Sequence, residues 1–116
     1  MNLAEMIQEA DRLSKKIDEG VRELSQAAAE QAEAEHVYRL EKARAWIELR
    51  DGTAGERAAR VDGVTAGFRR DRDLAEARRQ TAVEALRSRR AQLSMLQTAA
   101  TSLRAELDHS TYGPDQ

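Results

Sequence analysis

Between two long runs of helix-forming residues, this sequence offers a single place to turn. The only proline of the 116 residues is Pro114, near the C-terminus, and no pair of adjacent glycines interrupts the rest. The one cluster of turn residues is Asp51-Gly52-Thr53-Ala54-Gly55-Glu56. Gly52 can take the left-handed conformation that ends a helix. Thr53 with Glu56 three residues later is a capping box: the hydroxyl accepts from one orphan amide of the next helix, and the carboxylate reaches back to another. A chain punctuated once folds back on itself. The prediction is an all-α fold, a long antiparallel helical hairpin or coiled coil. Its helices span about residues 3–50 and about residues 54–108, with the turn at 51–53. Residues 1–108 then form one helical-hairpin domain, and 109–116 a frayed, flexible tail.

The hydrophobic spacing agrees. Leu3, Met6, Ala10, Leu13, Ile17, Val21 and Leu24 step by threes and fours, the seam of a coiled coil. Residues 25–36 keep strong helix formers but lose the large apolar side chains, which return at Val37, Tyr38, Leu40, Trp46, Ile47 and Leu49. Gly20 is a weak point in the first helix, costing roughly 1 kcal/mol against alanine. In the second helix Val61, Val64, Phe68, Ala75 and Ala82 form one ladder, and Leu86, Leu93, Leu96, Ala100, Leu103 and Leu107 another. Their phases suggest a four-residue stutter between Ala82 and Leu86. Asp71 or Asp73 can cap a new helix, which leaves room for a short break near 69–73. Gly63 and Gly67 have GxxxG spacing and read as a close helix contact or a weak point.

Composition excludes other architectures. Of the 47 residues counted as hydrophobic, 21 are alanine and only four are aromatic, too little bulk for a globular interior. No cysteine is present, so disulfides, thiolate metal sites and cysteine nucleophiles are out. No run of 18 apolar residues reaches across a bilayer, and the first residues lack the pattern of a signal peptide, so the expectation is a cytoplasmic protein with no membrane partner.

Charge lies in blocks: residues 1–35 carry −5, residues 36–104 carry +6 and residues 105–116 carry −3, for a net −2. Within the basic block, residues 69–90 hold eight arginines against four acids. Two readings are open. The stripe can attract a polyanion, or it can face the chain's own acids. Folding at 51–53 sets residue i near residue 104 − i, which brings Glu30, Glu33 and Glu35 near Arg69, Arg70, Arg72, Arg78 and Arg79. Exposed pairs of this kind contribute only ~0–1 kcal/mol each.

No catalytic constellation emerges. His36 has Glu33 one turn earlier, but two ligands do not make a metal site, and His109 lies in the tail; DGTAG lacks the lysine and preceding strand of a phosphate loop, and the hydroxyl residues lack a histidine-carboxylate partner. The chain reads as a non-enzyme without metal or cofactor. The remaining chemistry is phosphate binding, for which arginine has a fork of donors and aromatics a stacking face. Tyr38, Lys42, Arg44 and Arg50 precede the turn. Arg69, Arg70, Arg78 and Arg79 follow it, and together these eight are the candidate nucleic-acid-binding residues. The face of Tyr38 and Trp46 reads equally as core or interface. A hairpin has one seam, so self-association is expected to give it a second covered face. Val37, Trp46 and Val83 drift off the seam and are the candidate oligomer interface.

At the turn the sequence resembles a family. Tyr38-Arg39-Leu40-Glu41-Lys42-Ala43-Arg44-Ala45-Trp46, then Asp51-Gly52-Thr53-Ala54-Gly55-Glu56-Arg57, resembles the small helical recombination mediators of tailed phages, the UvsY-like proteins. The similarity covers about residues 36–107, through the second heptad helix ending Leu96-Gln97-Thr98-Ala99-Ala100-Thr101-Ser102-Leu103-Arg104. It implies an oligomer in the cytoplasm of a bacterial host. Such an oligomer binds single-stranded DNA and helps a RecA-type recombinase displace single-strand-binding protein. The family's basic residues before the turn correspond to Lys42 and Arg44. The acidic N-terminal third departs from the pattern and suits contact with a protein. The alternative is a coiled-coil scaffold or adaptor that binds no nucleic acid.

Overall fold

The computed structural model describes residues 1–111, and they form two helices, α1 (Leu3–Glu48) and α2 (Ala54–Thr111). The fold is all-α, an antiparallel helical hairpin, as the single turn predicts. α1 starts on Asn2, whose side-chain oxygen accepts from the Glu5 amide at 2.8 Å, a cap the sequence reading overlooked. It ends at Glu48, two residues before the expected end. Gly52 then takes φ 91°, the left-handed conformation foreseen for it. The Thr53 hydroxyl accepts from the Glu56 amide at 3.2 Å, the forward half of the capping box. α2 begins at Ala54 as expected and runs to Thr111, three residues beyond the expected 108. The rest of the predicted tail, residues 112–116, lies outside the described residues.

Two arginines finish the turn. The last carbonyls of α1 have no helical partner, and α1 has no basic residue in its own last turn. Arg50 Nε donates to the Ile47 carbonyl at 2.7 Å, and Arg57 Nη2 donates to the Trp46 carbonyl. Arg57 also lies over the Trp46 ring, 4.7 Å from its centroid. The first turn of α2 is thereby fastened to the last turn of α1.

The chain divides into two compact units, one of Met1–Arg22 with Val83 onward and one of Glu23–Ala82. In the terminal unit, Leu13, Gly20 and Leu86 are buried, and Leu3, Met6, Ala10, Ile17, Leu93, Leu96, Ala100 and Leu103 are half-buried. Gly20 therefore takes the seam position expected of Val21, which is 46% exposed. Seventeen, 20 and 24 keep the alternating three and four steps, whereas 21 falls about 100° to the side. Gly20 is more than a weak point. A Cβ there would lie 3.1 Å from Leu86 Cδ1 and 2.9 Å from Arg89 Nη1, so the missing side chain admits both residues. Arg89 Nη1 donates to the Lys16 carbonyl at 2.8 Å.

In the turn unit, Ala27, Tyr38, Ala45, Val61, Thr65 and Ala75 are buried. Most are small, so the helices meet with little side-chain bulk between them. Thr65, not Val64, occupies the seam: Thr65 is 3% exposed and Val64 60%. Its hydroxyl donates to the Val61 carbonyl at 2.7 Å, so burial leaves it satisfied.

α2 shows neither the break nor the stutter. Residues 69–73 are helical throughout, and Asp73 pairs with Arg72 rather than capping. Covered positions run Val61, Thr65, Phe68, Arg72, Ala75, Ala82, Leu86, Arg89, Leu93, Leu96, Ala100 and Leu103 in one heptad register, with exposed Arg79 in its place. Beyond Ala82 large apolar side chains also occupy the second row of that register, at Leu86 and Leu93, which imitates a phase change. Leu107 keeps the register but is 51% exposed. The pairing rule holds to within one helical turn. It sets Gly20 opposite 84 and Glu35 opposite 69, and within their units Gly20 meets Leu86 and Glu35 meets Arg72.

Candidate nucleic-acid interface

The two groups of candidate residues fare differently. Those before the turn each have a partner within the chain. Tyr38 falls on the seam and is 7% exposed, with the Arg72 guanidinium 4.4 Å from its ring centroid and Lys42 Nζ 5.7 Å from it. No ring face is left on which a base could stack, so Tyr38 belongs to the core. Lys42 is half-buried in that contact. Arg44 is exposed but forms an ion pair with Glu41 at 2.9 Å, and Arg50 serves the end of α1. Trp46 is half-buried under Arg57. The two aromatics are thus occupied by the chain's own cations, each worth about 0.5–2 kcal/mol.

The arginines after the turn are mostly free of the acids expected to hold them. Of the five arginines expected near Glu30, Glu33 and Glu35, Arg72 alone reaches one of these acids among the described residues, its Nε lying 3.7 Å from Glu35 Oε2. Its hydrogen bond to Asp73, with Glu35 nearby, raises the Arg72 pKa above its ordinary value despite some desolvation. Arg69, Arg70, Arg78 and Arg79 are exposed. Among the described residues, no carboxylate stands within salt-bridge distance of any of the four. Helix geometry explains the difference for three of them. Arg72 is a seam position, whereas Arg69, Arg70 and Arg78 project to the sides or the back of α2.

Arg69 and Arg70 border an open groove on the outer face of α2, with Asp62, Gly63, Ala66, Asp73 and Leu74. Its floor is low because Gly63 and Ala66 are small. A Cβ built at Gly63 or Gly67 meets nothing within 4 Å, so these glycines make no close helix contact. The guanidiniums of Arg69 and Arg70 on this groove, and those of Arg78 and Arg79 further along α2, can bind phosphate oxygens through paired N–H donors. The ring of Phe68 lines the adjoining groove with Arg70 and is half-buried.

Of the candidate oligomer residues, Val37 and Val83 are half-buried in their respective units, and Trp46 is taken up by Arg57. Val37 lines a side groove with Phe68, described below. Among the described residues, no helix is long and apolar enough to cross a membrane. Compared with family models, curated proteins and solved structures, the chain matches none of them.

Proposed function

We propose that the chain is a non-enzymatic accessory protein that binds single-stranded DNA and helps a RecA-type recombinase displace single-strand-binding protein. The observation that carries the binding reading is the set Arg69, Arg70, Arg78 and Arg79, exposed and without carboxylate partners among the described residues. Phosphate contact positions a nucleic acid without reading its sequence, which suits an accessory factor that must act anywhere on a strand. The preference for single strands and the recombinase both come from the resemblance over about residues 36–107, because the arginines alone do not distinguish single strands from duplex.

The test is fluorescence anisotropy of a labelled single-stranded oligonucleotide over a salt series, with duplex as control. Each arginine contact contributes roughly −0.7 to the slope of log K against log salt. Tighter binding to the single strand is the expected result. A second reading, a helical scaffold, is favoured by the fate of Tyr38, Lys42 and Trp46, which are spent on the chain's own packing. Absence of binding at low salt would leave that reading in place of the first.

A further inference from the structure

Of Glu30, Glu33 and Glu35, only Glu35 meets an arginine of α2 among the described residues, and the acids left over lie beside an apolar surface. Glu30, Glu33 and Asp71 border a side groove of the turn unit whose apolar lining includes Val37 and Phe68. Glu30 accepts a hydrogen bond from Gln26 at 3.2 Å. Among the described residues, none of the three acids has a cation within salt-bridge distance. Phe68 and Asp71 also line the adjoining face of α2, together with Val64, Leu74 and Arg70. Arg78 continues that face, four residues on from Leu74 and one heptad on from Asp71. Val64 is 60% exposed and Leu74 43%.

The surface is therefore an apolar strip, Val37 to Phe68 to Val64 and Leu74, with Glu30 and Glu33 along its α1 border, Asp71 beside Phe68, and Arg70 and Arg78 toward its α2 border. We infer that this strip binds a second copy of the chain, related by a two-fold axis that runs along the helices, with Glu30 and Glu33 of each copy against Arg70 and Arg78 of the other. A two-fold arrangement exchanges the two borders, so one patch complements itself. Opposite potentials on the borders set the register, and the apolar centre supplies the attraction. A basic helix of another protein would neutralise the acids but leave Arg70 and Arg78 without carboxylates. A second copy satisfies both borders at once. Arg69 and Arg79 stay outside these pairs, so the association neither needs nucleic acid nor removes every phosphate donor.

The experiment is sedimentation equilibrium of the full chain without nucleic acid, up to about 100 µM, where an interface of micromolar affinity is filled. The wild type associates reversibly. Glu30→Arg with Glu33→Arg, and separately Arg70→Glu with Arg78→Glu, each weaken association by about tenfold or more through like-charge contacts. An equimolar mixture of these two variants associates again, because the reversed charges complement one another. Val64→Glu, at an exposed position outside the seam, weakens association with helicity by circular dichroism unchanged. A monomeric wild type, variants that associate like the wild type, or a mixture that stays apart would each overturn the inference. So would a wild type that stays monomeric yet binds a basic amphipathic peptide. None of these results depends on whether the protein binds DNA.

Discussion

Leu86 and Gly20 should be energetically coupled, and a double-mutant cycle measures the coupling. Leu86 is 5% exposed and rests where a Cβ on Gly20 would come within 3.1 Å of its Cδ1. Leu86→Ala removes three buried carbon groups, about 2.4 kcal/mol at roughly 0.8 kcal/mol each. The cavity adds to this, which places the loss in the range of about 2–5 kcal/mol known for such sites. Gly20→Ala in the wild type combines two opposed effects. Alanine improves helix propensity by about 1 kcal/mol, but its methyl crowds Leu86 and the Arg89 guanidinium, which is bonded to the Lys16 carbonyl. Close packing in the seam leaves little room for Leu86 to retreat. The single variant should be near neutral. In the Leu86→Ala background the crowding by Leu86 is gone, and the same glycine substitution should recover most of that ~1 kcal/mol. Urea unfolding followed by far-UV circular dichroism gives all four corners of the cycle. Additivity to within about 0.3–0.5 kcal/mol would mean that the two residues do not touch, and the account of the terminal seam would fail.

Other perturbations follow from the same contacts. Thr53→Ala should cost about 1 kcal/mol by removing the α2 cap, read by thermal melting. A neutral result would refute its capping role. Lys42→Ala with Arg44→Ala should leave the salt dependence of oligonucleotide binding near the wild-type slope. Lys42 lies against Tyr38 and Arg44 pairs with Glu41. A loss equal to that from the post-turn arginines would return these residues to the interface. The Glu9 carboxylate is held below its ordinary pKa chiefly by its hydrogen bond to Arg12. A depressed folded-state pKa means that its contribution is present above the unfolded carboxylate range and lost as pH falls through the lowered value. Melting temperatures of wild type and Glu9→Gln should therefore differ slightly near neutral pH and converge in strong acid. A gap that widens in acid would contradict the pairing.

Much of the fold was legible because helices leave periodic marks. The turn at Gly52 and Thr53, the start of α2 and the pairing of the helices all follow from spacing and capping chemistry. Errors arose where residue type was preferred to period. Val21 and Val64 are apolar and looked like seam residues, yet the register calls for Gly20 and Thr65. A glycine contributes no hydrophobic signal, although its absent side chain is what lets Leu86 and Arg89 approach. The stutter had the same origin, since Arg72 and Arg89 continue the register without looking hydrophobic. Their long stems can cover a seam while their heads find polar partners. The candidate site was harder to read. Charge balance placed the arginines near the acids, but rotation about the helix axis decides which of them meet, and only Arg72 faces Glu35. No sequence pattern marked the Arg57 contact with Trp46, because it depends on how the two helix ends come together. The aromatics looked available for stacking until their place on or near the seam was known.

The claim on which the functional account depends is that the unpaired arginines of α2 hold phosphates. The most direct measurement compares the salt dependence of single-strand binding by the wild type with that of Arg69→Gln/Arg79→Gln, two exposed positions outside the strip inferred to bind a second copy. The account predicts that the variant keeps its helicity and that its slope of log K against log salt is shallower by about 1.4, or roughly 0.7 for each lost contact. Equal slopes for the two proteins would show that these arginines touch no phosphate and would contradict it.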